Sequence, residues 1–227
     1  MTMDLSPIII SLKTATLSII ITFFLGVAAA QFVFRLKSKT MKTILDGLFT
    51  LPLVLPPTVA GFFLLLIFSL RRPFGKLLLE SFDFKVIQTW KGCVIAAAVI
   101  AFPLMYRNAR AAFEQVDVNL IYAGQTLGMS DRRIFWKVIV PAAAPGIASG
   151  TVLAFARAIG EYGATSMLAG NILGKTRTVS VAIAAETAAG NYNVAGFWVV
   201  VIVLISFVIV ALINIVSGRG MKSRRWI

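Results

Sequence analysis

Five long stretches of this chain carry no charged residue: 14–34, 47–70, 92–106, 138–156 and 187–218. A helix crossing about 30 Å of hydrocarbon needs roughly 20 apolar residues in succession, and all but one of these runs meet or nearly meet that length. The run 92–106 has only 15 residues. It is expected to borrow residues 86–90 on its outer side, with Lys91 snorkelling its ammonium toward water. Charged residues make up 14% of the chain, against about 25% in a soluble domain. The fold expected is therefore an all-α polytopic membrane protein, one transmembrane domain over residues 1–227. Five spans are expected, with room for a sixth short one after Glu161.

The opening MTMDLSPIII has no basic start, and no small-residue cleavage site follows the run 14–34. That run is expected to be a retained span rather than a cleaved leader. Cys93 is the single cysteine and histidine is absent, which leaves no disulfide within one chain, no cysteine metal cluster and no imidazole base. The nine acidic residues are widely scattered, so a membrane enzyme is disfavoured and no metal or cofactor is expected. The formal charge of +13 raises nucleic acid as a partner, but the basic residues cluster at span ends, where the positive-inside rule accounts for them. With the N-terminus outside and the C-terminus cytoplasmic, the inner segments 35–42, 107–137 and the tail after Ser217 hold thirteen basic residues. The outer segments hold eight, and Arg157 is left in the membrane. The basic tail 219–225 is expected to anchor at anionic lipid on the inner surface.

Within the spans, Gly26 and residues 28–30 are small enough for close helix contact. The second run, LPLVLPPTVAGFFLLL, contains Pro52, Pro56 and Pro57, through which no straight helix passes. It forms either a kinked packing helix or a broken helix beside a pathway. In the fourth run Gly146, Gly150, Ala154 and Ala158 recur at steps of four, a stripe suited to tight crossing at the bundle or dimer centre. Arg157 and Glu161 stand one helical turn apart near the outer end of that span. They form either a structural pair or an attractor for an anion moderated by its carboxylate. Thr151, Thr165, Asn171 and Thr178 are candidate hydrogen-bonding groups along the same pathway. The segment AGNILGKT (169–176) falls one residue short of a phosphate-binding loop and lacks the preceding strand such a loop requires. No inverted repeat links the halves, as many secondary transporters would show.

Residues 107–141 are too many for a bundle connection of about 2–8 residues. Leu120, Ala123, Leu127, Ile134 and Val138 recur at three- and four-residue steps around a break at 128–130, with Gln125, Ser130, Asp131, Arg132 and Arg133 between them. Two short amphipathic helices with a glycine-centred bend fit this pattern, as does an interfacial helix on lipid headgroups.

Gly128 and Pro141 stand thirteen apart, as in the inner-loop signature E-A-A-x-x-x-G-x(9)-I-x-L-P of ABC importer permeases. Ala123 matches the first alanine. Tyr122 stands in place of the glutamate, Gly124 of the second alanine, Val138 of the isoleucine and Val140 of the leucine. LPLVLPPTVAGFFLLL, FPLMYRNARAAFEQVD, PGIASGTVLAFARAIGEYGAT and GNILGKTRT resemble the molybdate branch of the oxyanion permeases. The element FARAIGEYG is similar to sulfate and thiosulfate permeases too. The resemblance implies a homodimer in the bacterial inner membrane that imports molybdate by alternating access. Sulfate, thiosulfate or tungstate import is the alternative within the class, and a secondary transporter or channel the alternative outside it. It also implies two copies of a separate ABC ATPase and a soluble oxyanion-binding protein outside. A cytoplasmic coupling loop at about 107–141 would carry Ala123, Gly124, Gln125, Gly128, Met129, Ser130, Arg132, Arg133 and Pro141 to the ATPase.

Overall fold

The computed structural model describes residues 4–222, with side-chain surroundings described through Ile209. The basic residues of the tail 219–225 thus lie outside the described side chains. The first span is α1 (Ser6–Arg35), opened by Pro7 where a missing N–H costs nothing and closed by an extended Leu36. Its buried positions include Ser11, Thr14, Ser18, Thr22, Gly26 and Ala30, a face with hydroxyls at three- and four-residue steps. These hydroxyls are used. Ser18 donates to the Val94 carbonyl at 2.9 Å, Thr22 to that of Ala98 at 3.3 Å, and the Trp90 indole donates to Thr14 at 2.8 Å. Such interhelical bonds each contribute about 0.6–2 kcal/mol within a membrane. A Cβ at Gly26 would lie 2.8 Å from Met105, so the expected close contact exists, while Ala28 faces outward.

The second run is broken, not merely kinked. Helices α2 (Lys39–Val54) and α3 (Pro57–Phe68) meet at 109°. Leu55 and Pro56 are extended, and Pro57 starts the new helix, which leaves α3 without a continuous hydrogen-bond ladder into α2. The outer connection carries α4 (Pro73–Phe82), closed by Asp83 in the left-handed region.

Of residues 86–90 the third span takes only Trp90. Gln88 has φ +57 and Thr89 is extended, so α5 (Trp90–Glu114) starts only at Trp90. Val86 is buried in the preceding loop, and Lys91 is exposed, its ammonium 4.2 Å over the Phe84 ring. The missing length comes from the inner end, where residues 107–114 continue the helix. The inner loop is correspondingly shorter than 107–141. It holds α6 (Val118–Thr126) and the four-residue α7 (Asp131–Ile134). A π-helical turn, Phe135–Ile139, then leads without interruption into α8 (Val140–Ile159). That widened turn accommodates Pro141, which lacks an N–H and whose ring crowds the carbonyl four residues back.

After a break at 160–162 come α9 (Gly163–Leu168), α10 (Val179–Ala188) and α11 (Tyr192–Lys222). Among the described residues four helical stretches are long and apolar enough to cross a membrane, five if the bent α2–α3 pair counts as one span. At ten residues α10 is too short for a sixth straight crossing. The main core lies between α1, α5 and α8, around Met105, Tyr106, Phe113, Phe135 and Ala154. A second core joins α3 and α9 to the outer half of α5 through Leu64, Ile100 and Leu168.

Candidate coupling loop and membrane site

Asp117 caps α6 by accepting from the Asn119 amide at 2.9 Å. At the other end the Met129 amide donates to the Gly124 carbonyl at 3.0 Å and the Gly128 amide to that of Gln125 at 2.9 Å, with Gly128 at φ +71. This pair of bonds around a left-handed glycine is a Schellman ending, and it explains why the bend requires Gly128. Helix α6 rests on α7 through Gly124, where a Cβ would lie 3.1 Å from Ile134. Apart from Ile121 and Gly124 the helix is uncovered: Val118, Leu120, Tyr122 and Leu127 are exposed, Leu127 at 79%. Ala123, Gln125, Ser130, Arg132, Arg133 and Pro141 are exposed as well, and Met129 is half-buried. The residues of the signature therefore surround a short helix that rests on α7 and carries apolar side chains that this chain does not cover.

In the membrane, the small-residue stripe of α8 faces α5. A Cβ at Gly146 would meet Ala112 at 2.7 Å, and one at Gly150 would meet Asn108 at 2.5 Å. This antiparallel register sets Arg157, seven residues beyond Gly150, opposite Ala101. Ala101 is eleven residues into α5, about 16 Å from its outer end at 1.5 Å per residue. Arg157 thus lies near the end of α8 and level with the middle of α5, and α9 continues beyond it to place Leu168 against Gly92. Its guanidinium contacts the Glu161 carboxylate at 2.7 Å, an ionic contact rather than an aligned hydrogen bond. The other Glu161 oxygen accepts the Ala164 amide at 2.7 Å, capping α9. Glu161 is 2% exposed while the Arg157 side chain is 30% exposed, so Arg157 has a free side and Glu161 does not.

Two breaks meet beside this pair. A Cβ at Gly163 would lie 2.9 Å from Pro57, and one at Gly61 would lie 2.7 Å from the Ala164 backbone. The discontinuity after α8 thus packs against the discontinuity before α3, the arrangement in which helix ends and freed backbone line a transport path.

The profile of the family described as "Binding-protein-dependent transport system inner membrane component" matches residues 12–219. The chain belongs to this family. It is 42% identical over 209 residues to the putative molybdenum transport system permease protein YvgM of Bacillus subtilis (strain 168), covering 92% of each chain. It is 42% identical over 176 residues to the molybdenum transport system permease protein ModB of Escherichia coli (strain K12), covering 78% of this chain and 76% of that one. The sulfate transport system permease protein CysT of Salmonella typhimurium (strain LT2) is 35% identical over 178 residues, covering 78% and 64%. Among solved structures, the MetNI methionine ABC transporter in an inward-facing form superposes with a TM-score of 0.73 at 15% identity, covering 94% of both chains. Membership makes this protein a multi-pass inner-membrane permease subunit of an ABC importer. ATP hydrolysis belongs to a separate subunit, and a binding protein delivers the solute.

In this permease the remaining expected pathway residues do not gather around Arg157. Thr151 donates to the Ile147 carbonyl at 2.9 Å and lines an apolar groove between α1 and α8. Thr165 is buried in α9, Asn171 is exposed in the outer turn, and Thr178 caps α10. None of the four hydrogen-bonds to Arg157 or Glu161 among the described residues. The phosphate-loop lookalike is a turn closed on itself: Gly170 and Gly174 have positive φ, and the buried Thr176 hydroxyl accepts the Ile172 amide at 3.0 Å.

Two further clusters of the permease escaped sequence reasoning. Arg177 pairs with Glu186 at 2.6 Å on the outer side. Hydrogen bonds from Asn191 and Arg177 hold the Glu186 carboxyl below its ordinary range. On the inner side Asp46 of α2 meets Tyr106 and Arg110 of α5. The signal for that second site was present: Asp46 is the acid immediately before the long uncharged run 47–70.

Proposed function

We propose that two copies of this permease form the membrane core of an ATP-driven molybdate importer, with the N-terminus outside and the C-terminus cytoplasmic. The near full-length match at 42% identity to a molybdenum permease relative, against 35% over part of the chain for the sulfate relative, is the observation that carries the substrate. The exposed Leu120 and Leu127 of α6, on one side of the helix, support docking of one ATPase on each inner loop. Arg132 and Arg133 flank that contact. ATP-driven closure of the two ATPases would draw the loops together and rock the bundles between inward- and outward-open forms.

The stripe of α8 is occupied by α5 of its own chain, so the dimer axis must be approached by another face. Leu153, Ala156 and Gly160 are exposed beside Arg157 and form that face. Two arginines, one from each chain, then attract a single tetrahedral dianion, while each Glu161 keeps the attraction weak enough for release. The permease needs differential affinity between its states rather than tight binding. The test is competition in cells lacking their own molybdate uptake. Labelled molybdate uptake that depends on this permease should be suppressed by excess molybdate or tungstate and much less by excess sulfate. Suppression by sulfate at equal concentration would assign the permease to sulfate instead.

A further inference from the structure

Four side chains of α5 recur at steps of four along one face: Phe102, Tyr106, Arg110 and Glu114. The stripe runs from the middle of the helix to its last residue, three before the Asp117 cap of α6. Helix α2 lies on it. The Phe49 ring meets Phe102 and Tyr106 edge-on at 5.7 and 5.2 Å. Below them the Tyr106 hydroxyl donates to the Asp46 carboxylate, and Arg110 pairs with the same carboxylate. The Arg110 Nε also donates to Glu114 at 2.9 Å, and its Nη1 to the Tyr106 oxygen at 3.3 Å. A cavity of about 540 Å³ opens beside this cluster.

Three properties set the cluster apart from ordinary packing. No residue of α2 is fully buried, so little apolar contact fixes that helix to its own chain. Among the described residues, the Asp46–Arg110 contact is the only ion pair that α2 makes. Finally, α2 ends at the 109° break, beyond which Pro57 abuts Gly163, two residues from Glu161.

We propose that Arg110 is the positioning residue that carries movement of the inner loop to the broken span. Its guanidinium, held between Glu114 at the root of the loop and Asp46 on α2, keeps α2 in step with α5. A displacement of α6 then shifts the break beside Arg157 and Glu161. The proposal rests on the reading of α6 as the ATPase-docking element.

The experiment uses the complete transporter, with ATPase and binding protein, in proteoliposomes. For the wild type, Asp46→Asn, Arg110→Gln, Glu114→Gln and the exchanged pair Asp46→Arg with Arg110→Asp, it records three quantities: membrane abundance, ATPase copurification, and molybdate taken up per ATP hydrolysed. Asp46→Asn and Arg110→Gln are expected to keep the ATPase bound and hydrolysing while uptake per ATP falls about 5-fold or more, the lower range of coupling between linked sites. The exchanged pair restores the contact between α2 and α5 but sets a carboxylate beside Glu114, so it should recover abundance and only part of that ratio. Glu114 is half exposed, so Glu114→Gln should leave abundance intact and still lower the ratio. It therefore reports even if the other variants fail to fold. An unchanged ratio in Glu114→Gln, or in either single variant that reaches the membrane, overturns the proposal. So does an exchanged pair that restores the full ratio, because the contact with Glu114 would then be dispensable. Failure of the wild-type permease to bind the ATPase would instead overturn the docking reading.

Discussion

Glu161 accepts the Ala164 amide with one carboxylate oxygen and holds Arg157 with the other, so removing either charge leaves its partner unpaired within the bundle. Breaking a buried pair costs about 3–5 kcal/mol; the 30% exposure of Arg157 puts this pair toward the low end. Arg157→Gln and Glu161→Gln should each lower membrane abundance, and the double variant should recover much of it. Uptake separates the two roles. If Arg157 attracts the anion, uptake stays lost in the double variant even where abundance returns. If the pair only packs the breaks together, uptake returns with abundance. Quantitative blotting of membranes beside labelled molybdate uptake distinguishes these outcomes. The pair was visible in sequence because its spacing of four is local. The Asp46–Tyr106 contact was not, because 60 residues separate its partners and nothing in local periodicity joins them.

In the inner loop, Gly128 adopts φ +71 with nothing within 4 Å of where its Cβ would be. Alanine there would cost only the left-handed backbone penalty, about 1–2 kcal/mol. Gly128→Glu adds a charged side chain beside the exposed Leu127. It should leave the permease in the membrane yet reduce ATP-coupled uptake severely. Normal transport with unchanged ATPase binding in that variant would remove α6 as the docking element. Several elements were legible beforehand because their cause is local. Long apolar runs mark α1, α8 and α11, and Pro56 with Pro57 marks the break. The 109° angle was not legible, since it depends on contacts of Gly61 with Ala164 and of Pro57 with Gly163 across the fold. The outer limit of α5 was misplaced because hydropathy favours 86–90, whereas Gln88 and Thr89 adopt backbone geometry that stops a helix. Apolar periodicity identified α6 without revealing which side is covered. Ile121 and Gly124 face the chain, and Leu120 and Leu127 await a partner.

For the whole molecule, the distribution of thirteen basic residues on expected inner segments against eight outside supports an odd number of spans. A reporter fused after Trp226 should read cytoplasmic and one within 71–91 external; the reverse pattern would invert the proposed orientation. The broken second span and the largely uncovered inner helix are what a bundle driven from its inner side would require. Its most direct test is accumulation of labelled molybdate by proteoliposomes containing the permease, its ATPase and its binding protein, with ATP supplied only on the ATPase side. The predicted result is uphill molybdate accumulation that requires ATP and the binding protein and persists after ion gradients are collapsed. Accumulation without ATP, driven by an ion gradient, would contradict it.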